Sequence, residues 1–266
     1  MKHFWDHTVL AVKSFIRYIP LLENLISREL KKKYRRSLLG YLWCVLNPLM
    51  VMLIMNFVFS NMFRNDIANF PVYLFVGRMV FTFIQESTVG VSRSFINNGA
   101  LMRKTRIPYY IFPMASFSSA IVNFLFSLAA FAIVLLFTQT PVSWHILAFP
   151  VVVLQMLLFA FGLGMILANA NVFVRDTDYL YAVFCTAWMY MTPLFYPLQA
   201  LPQIAQSIIG NLNPAYFYIQ QARLIFIDHQ WPTGGLMLQG FGAAAIFMLI
   251  GMWIYVKNKD KIILYV

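Results

Sequence analysis

Charge is what this sequence has least of. Only 11% of its 266 residues are Asp, Glu, Lys or Arg, under half the roughly 25% of an ordinary soluble domain. The shortage is concentrated: no charged residue occurs from Ile107 to Val174, from Tyr179 to Ala222 or from His229 to Val256. With 61% hydrophobic and 17% aromatic residues beside it, so little charge excludes a soluble globular domain, because no single core could hide that much apolar surface. Each window exceeds the roughly 20 apolar residues that cross a bilayer as a helix. The expectation is an all-α polytopic membrane protein.

Cysteine is nearly absent. Cys44 and Cys185 both fall inside apolar segments, which excludes a disulfide framework and gives no support to a zinc site. The four histidines, His3, His7, His145 and His229, are scattered without a metal-binding spacing. None of the twelve glycines precedes a lysine, so the Gly-Lys-Ser/Thr heart of a phosphate-binding loop is missing and the chain does not bind ATP by that route. No catalytic group and no cofactor of its own are expected. The N-terminus mixes Lys2, Asp6, Lys13 and Arg17 with short apolar runs and lacks the continuous apolar stretch of a signal peptide, so the first span is expected to direct insertion.

The charge that is present is lopsided. Net charge is +11, which invites a nucleic-acid reading, but position argues against one. Spans are predicted near 38–62, 71–92, 112–138, 146–173, 179–198 and 234–256. Seventeen of the twenty Lys and Arg then fall on one side, leaving Arg64, Arg78 and Arg223. That asymmetry is the positive-inside signature, with both termini cytoplasmic, and the basic surface suits anionic headgroups. The organisation is a cytoplasmic N-terminal region (1–37), one transmembrane domain (38–256) and a cytoplasmic tail (257–266).

In "PLLENLISRELKKKYRR", residues 20–36, Leu22, Ile26, Leu30 and Tyr34 recur every four positions beside Leu21 and Leu25. This is an apolar stripe on an otherwise charged helix, as expected of a helix in the membrane interface. Asn47-Pro48 follows within the first span, and proline there removes a donor and kinks the helix. The freed carbonyls need protein or water around them, which suits a pathway wall and a packed kink equally well. Arg78 and Glu86 lie in the second span, where charges normally face inward or toward an interface. The 93–111 connection holds "ALMRKT", a short helix ended by Ile107-Pro108: a docking knob for a cytoplasmic partner, or a loop that fixes orientation. Ala160, Gly164 and Ala168 form a small-xxx-small stripe for close helix packing. The irregular 198–232 region, rich in Pro, Asn and Gln, reads as a pair of short re-entrant helices entering from outside, since a seventh full span would put Lys257, Lys259 and Lys261 on the wrong side.

Asp176-Thr177-Asp178 could hold a metal and a sugar nucleotide, the one hint of a membrane-embedded glycosyl or lipid transferase, although no soluble domain adjoins it. The plainer reading is a polar cluster of Arg175, Asp176 and Asp178 at the cytoplasmic end of the fourth and fifth spans. The fifth span is aromatic. Tyr181, Phe184, Trp188 and Phe195 are spaced to share one helix face, and aromatic surfaces offer both apolar contact and, from Tyr and Trp, a donor. Such surfaces suit sugar rings. Interfacial Trp and Tyr belts are also ordinary in membrane proteins.

"RELKKKYRRSLLGYLWCVLNPLM", "NVFVRDTDY" at 171–179, "TPLFYP" at 192–197 and "LNPAYFYI" at 212–219, in this order and at these separations, resemble the membrane subunit of type-2 ABC exporters. The resemblance is to the branch that moves O-antigens, capsules, wall polysaccharides and teichoic acids, and it covers nearly the whole chain. It implies a homodimer of six-span subunits in the bacterial cytoplasmic membrane, enclosing a channel for lipid-linked polysaccharide. Two copies of a separate ATPase subunit, which bind the ATP and magnesium, would dock beneath. By that resemblance the 21–36 helix is the interface helix, and Ala100, Leu101, Met102, Arg103, Lys104 and Thr105 form the coupling helix. The first and fifth spans line the channel, with Tyr41, Trp43, Trp188, Tyr190, Phe195 and Tyr196 as sugar contacts. Tyr216, Phe217 and Tyr218 stand at the outer mouth. Lys31, Lys32, Lys33, Arg35 and Arg36 attract the pyrophosphate of the lipid carrier, though a topogenic role explains them too. The same fold could also export a drug or a small lipid.

Overall fold

The computed structural model describes residues 17–32, 37, 39–63, 67, 69–105 and 107–266, with 60–63 described by backbone alone. Among these residues the chain is helical throughout, without strands. A helix over 17–32 (α1) opens it. The turn into the next helix passes through Gly40, whose φ of 50° lies in the left-handed region that glycine adopts without a Cβ penalty.

Then follow α2 (Trp43–Phe63), α3 (Phe70–Asn97), the six-residue α4 (Gly99–Lys104) and α5 (Ile111–Phe137). The second half comprises α6 (Phe149–Phe173), α7 (Thr177–Met191), α8 (Gln203–Leu212), α9 (Pro214–Phe226) and α10 (Gly234–Tyr265). Among the described residues four segments are long and apolar enough to cross a membrane: Gly40–Phe59, Ile111–Phe137, Trp144–Phe173 and Gly234–Tyr265. The second and fifth predicted spans differ from these for separate reasons. The 28 residues of α3 include Arg78, Glu86 and Arg93. The 15 residues of α7 reach only about 22 Å, short of the roughly 30 Å hydrocarbon thickness. Pro193 stops that helix, so the predicted 179–198 span is a short helix followed by an irregular stretch.

Helix α3 is the hub and packs on α2, α5, α6, α7 and α9. Side chains on opposite sides of it, Val72 and Leu74 among them, are fully buried, as are Phe81 and Ile84. The most extensive crossing is α6 on α10, and its cause is glycine. A Cβ built on Gly162 would stand 2.4 Å from Met248 N, and one on Gly251 would stand 2.4 Å from Gly162 O. The two backbones therefore touch. In the predicted stripe, Ala160 and Ala168 are fully buried and Gly164 meets Val91 of α3. The stripe packs as expected, while the glycine that joins α6 to α10 lies outside it.

A second core gathers Leu25 of α1 with Phe95, Met102, Phe112, Tyr255 and Ile262. Here the expected interfacial helix is bound to the bundle: Leu21, Leu22 and Ile26 pack on this core, Arg28 donates to Asn98 Oδ1, and Ser116 Oγ donates to Glu29 Oε1 at 2.8 Å. The predicted tail from 257 is helical to Tyr265 as a direct continuation of α10. Neither Gly nor Pro interrupts residues 252–266, and Ile262 is fully buried.

Candidate functional site

Two surfaces concentrate the residues singled out from sequence. One is the flank of α3 that carries α2 and α7, and the other is the basic end around α1 and α4. On the flank, only 11% of the apolar window of α2 is buried. Tyr41 and Trp43 at its start are exposed, as are Tyr179, Leu180, Val183, Phe184 and Tyr190 on α7. In a bilayer such apolar exposure is satisfied by lipid, so exposure alone does not define a pathway.

The predicted aromatic face of α7 divides. Tyr181 and Trp188 are buried, Phe184 is exposed, and Phe195 lies beyond the end of the helix. Trp188 Nε1 donates to Asn213 Oδ1 at 2.8 Å, and its ring meets Phe81 edge-on at 5.5 Å. Phe195 is buried and stacks on Phe59 of α2 at 5.1 Å. Tyr196 is half-buried and donates its hydroxyl to the Tyr190 carbonyl at 2.8 Å. Tyr216, Phe217 and Tyr218 are all buried, and the Tyr218 hydroxyl donates to the Gly240 carbonyl at 3.1 Å. Of the nine aromatic candidates, Tyr41, Trp43 and Tyr190 are the exposed ones.

Two residues that the sequence reading gave no role hold this flank in shape. Asn213 caps α9, its Oδ1 accepting from the Ala215 and Tyr216 amides, while its Nδ2 donates to Thr192 Oγ1 at 2.9 Å. Asn followed by Pro at the first helical position was the available signal. Arg223, 3% exposed, donates to the Pro193 and Leu194 carbonyls at 2.8 and 3.1 Å and lies 3.4 Å over the Tyr73 ring. The irregular "TPLFYP" stretch thus has its free carbonyls satisfied by a buried guanidinium, as backbone outside a helix requires in an apolar setting. Nothing in the sequence named these carbonyls as its partners.

At the basic end, Lys31 and Lys32 of α1 face Gly40 and Tyr41 across an open cleft of about 810 Å³ that also includes Asn24, Ser27 and Arg28. Lys33, Arg35 and Arg36 lie outside the described residues. On α4, Met102 is buried, Leu101 and Thr105 are half-buried, and Ala100, Arg103 and Lys104 are exposed. Behind it, a Cβ on Gly99 would come 2.5 Å from Val266 Cγ1. The short helix is therefore seated on α3, α1 and the end of α10, with a cationic face outward.

The 175–178 turn is divided between neighbours. Asp178 accepts from Arg93 of α3 through both oxygens at 2.9 Å, and this hydrogen bonding pushes the Arg93 guanidinium above its usual pKa. Arg175 Nη2 donates to the Tyr265 carbonyl at 3.2 Å, and Asp176 sits at the start of α7 without a side-chain capping bond. The turn ties α3 and α10 to α7.

A multi-pass helical membrane protein, with an amphipathic helix and a seated short helix together at its basic end, is the class these features define. A family model described as ABC-2 type transporter matches residues 20–227. The chain belongs to that family and is a transport subunit. It is similar along nearly its whole length to proteins named "O-antigen export system permease protein RfbA". One from Myxococcus xanthus is 34% identical over 252 residues, covering 94% of this chain and 96% of the relative. Two from Klebsiella pneumoniae are 29% and 27% identical, covering 91% and 95% of this chain and 93% and 97% of the relatives.

Proposed function

We propose that this chain is the channel-forming subunit of an ATP-driven exporter that moves lipid-linked or long-chain polysaccharide out across the cytoplasmic membrane. The observation that carries the reading is the end-to-end similarity to three permeases named for O-antigen export. The chain acts as a homodimer of six-span subunits with both termini cytoplasmic, in which α3, and α7 continued by the irregular stretch to residue 198, join the four long apolar segments. Its α8 and α9 form the re-entrant pair at the outer mouth. Two copies of a cytoplasmic ATPase bind ATP and magnesium and seat on the exposed cationic face of α4.

The geometry supports this assignment physically. Rigid-body transmission requires a docking element that does not yield, and Met102, Gly99 and the Arg28–Asn98 contact hold α4 from three sides. The conduit wall is formed by α2 and α7, with Tyr41, Trp43 and Tyr190 as the accessible aromatic contacts. Lys31 and Lys32, with Lys33, Arg35 and Arg36 following in the sequence, attract the carrier pyrophosphate at the inner gate. Trp188, Phe195 and Tyr196 support the wall from behind, and Tyr216, Phe217 and Tyr218 do the same for the mouth.

The test is reconstitution in cells that make a lipid-linked glycan but lack its exporter. Surface polysaccharide is expected when the chain is expressed with its ATPase and absent when either is omitted. A pair that assembles and hydrolyses ATP without placing glycan on the surface overturns the assignment.

A further inference from the structure

Between α2, α3 and α5 lies a recess of about 110 Å³ whose lining includes Asn47, Pro48, Arg78, Thr82, Glu86 and Asn123. This is an unusual concentration of polar groups for a helix bundle of this composition. Charge on a membrane helix is costly unless it faces protein, water or a ligand, and here two opposite charges open into one space. They are eight residues apart on α3, about 12 Å along its axis. Asn123 Nδ2 donates to Glu86 Oε2 at 3.3 Å, which orients the carboxylate. Arg78 Nη1 is directed at the thioether of Met189 at 3.0 Å, a weak acceptor for a group with five donors. Pro48 supplies no N–H to the carbonyl one turn earlier, that of Cys44, and Cys44 lines the same recess. Trp43 also lines the recess and is itself exposed.

Several occupants are disfavoured by this chemistry. An acyl chain would leave the Arg78 guanidinium with only the Met189 thioether as hydrogen-bond acceptor and the buried Asn123 Oδ1 unpaired, which is costly. A phosphate would meet the Glu86 carboxylate. A neutral sugar unit presents adjacent hydroxyls that both donate and accept, matching a carboxylate and a guanidinium together, and its C–H face suits an indole. We infer that this recess is a hydroxyl-binding subsite beside the conduit, where Glu86 and Arg78 engage the diol edge of a neutral sugar unit as the polymer advances. The inference rests on the reading of the chain as a polysaccharide exporter. It explains why Asn47-Pro48 interrupts the first span: the proline leaves an acceptor on the recess wall.

Two measurements test it, both on the full chain with its ATPase. In lipid nanodiscs, with Cys44 and Cys185 replaced by alanine, Thr82→Cys is treated with a membrane-impermeant trimethylammonium methanethiosulfonate. Labelling at least tenfold faster than for Leu249→Cys, on the lipid-exposed side of α10, is expected. Equal rates mean a closed, dry recess and overturn the inference. In cells, Glu86→Leu is expected to lower surface polysaccharide at least tenfold at normal protein abundance and ATPase association, while Glu86→Gln, which keeps an acceptor oxygen, retains at least a third. Export by Glu86→Leu at the wild-type level overturns it. Failure of the wild-type pair to export any glycan would instead remove the functional reading on which the inference stands.

Discussion

Exchanging glycine for alanine at Gly162 and at Gly242 should move stability in opposite directions. Both glycines are inside helices, where alanine is favoured over glycine by about 1 kcal/mol. At Gly242 a new Cβ meets nothing within 4 Å, so Gly242→Ala should stabilise by about 0.5–1 kcal/mol. At Gly162 the Cβ would lie 2.4 Å from Met248 N and 2.5 Å from Phe247 C. Ordinary carbon contacts begin near 3.5 Å, so α10 must withdraw by about 1 Å along its line of contact. A gap of that size forfeits a quarter to a half of each dispersion contact it opens, and overpacking of this kind costs about 1–3 kcal/mol. Backbone cannot rotate aside as a side-chain tip can. Net of the propensity gain, Gly162→Ala should destabilise by up to about 2 kcal/mol. The two variants should therefore differ by about 2 kcal/mol, which for a chain of this size corresponds to roughly 4–8 °C in Tm. Thermal unfolding of the purified protein, followed by loss of the monodisperse species on size-exclusion chromatography, measures the difference. Equal shifts, or a more stable Gly162→Ala, would refute the claim that backbone contact between α6 and α10 sets their separation.

The other expectations concern the conduit wall and the docked helix. Arg223→Met removes the partner of the Pro193 and Leu194 carbonyls; each buried acceptor left unpaired costs about 1–3 kcal/mol, partly offset because a buried charge is removed. A lower Tm and faster proteolysis within 192–197 are expected, and an unchanged cleavage rate would remove the latch role. Tyr190, 62% exposed, gives a cleaner test of sugar contact than Trp188, whose buried ring makes Trp188→Ala a folding mutation of about 3–5 kcal/mol. Tyr190→Ala should lower export at normal protein abundance, since Tyr196 bonds only to its backbone carbonyl, and unchanged export would remove Tyr190 from the pathway. Met102→Pro should leave ATP hydrolysis by the partner in place and abolish export; normal export would show that α4 does not couple the two.

Much of the architecture was legible because membrane insertion reads composition and charge, which are properties of sequence. The long uncharged windows, the apolar stripe of α1 and the short helix before Ile107-Pro108 all depend on local chemistry and spacing. The outcome at α7 depended on more. A helix surrounded by lipid is apolar on every side, so periodicity could not distinguish Trp188, facing Asn213, from Tyr190, facing outward. For the same reason the spacing of Tyr181, Phe184, Trp188 and Phe195 suggested one face, which the exposed Phe184 and the break at Pro193 both divide.

By itself the sequence determined that the chain is a multi-pass helical membrane protein with a basic excess of charge. Those conclusions need only the costs of placing charge and unpaired backbone in an apolar medium. Tertiary structure alone decided that Arg223 serves carbonyls 29 and 30 residues earlier, that Gly162 rather than Gly164 meets α10, and that Arg78 and Glu86 open into one recess with Asn47. Each depends on which surfaces meet across distant segments. Hydrogen-bond partners and contact distances of that kind arise only when the helices have packed.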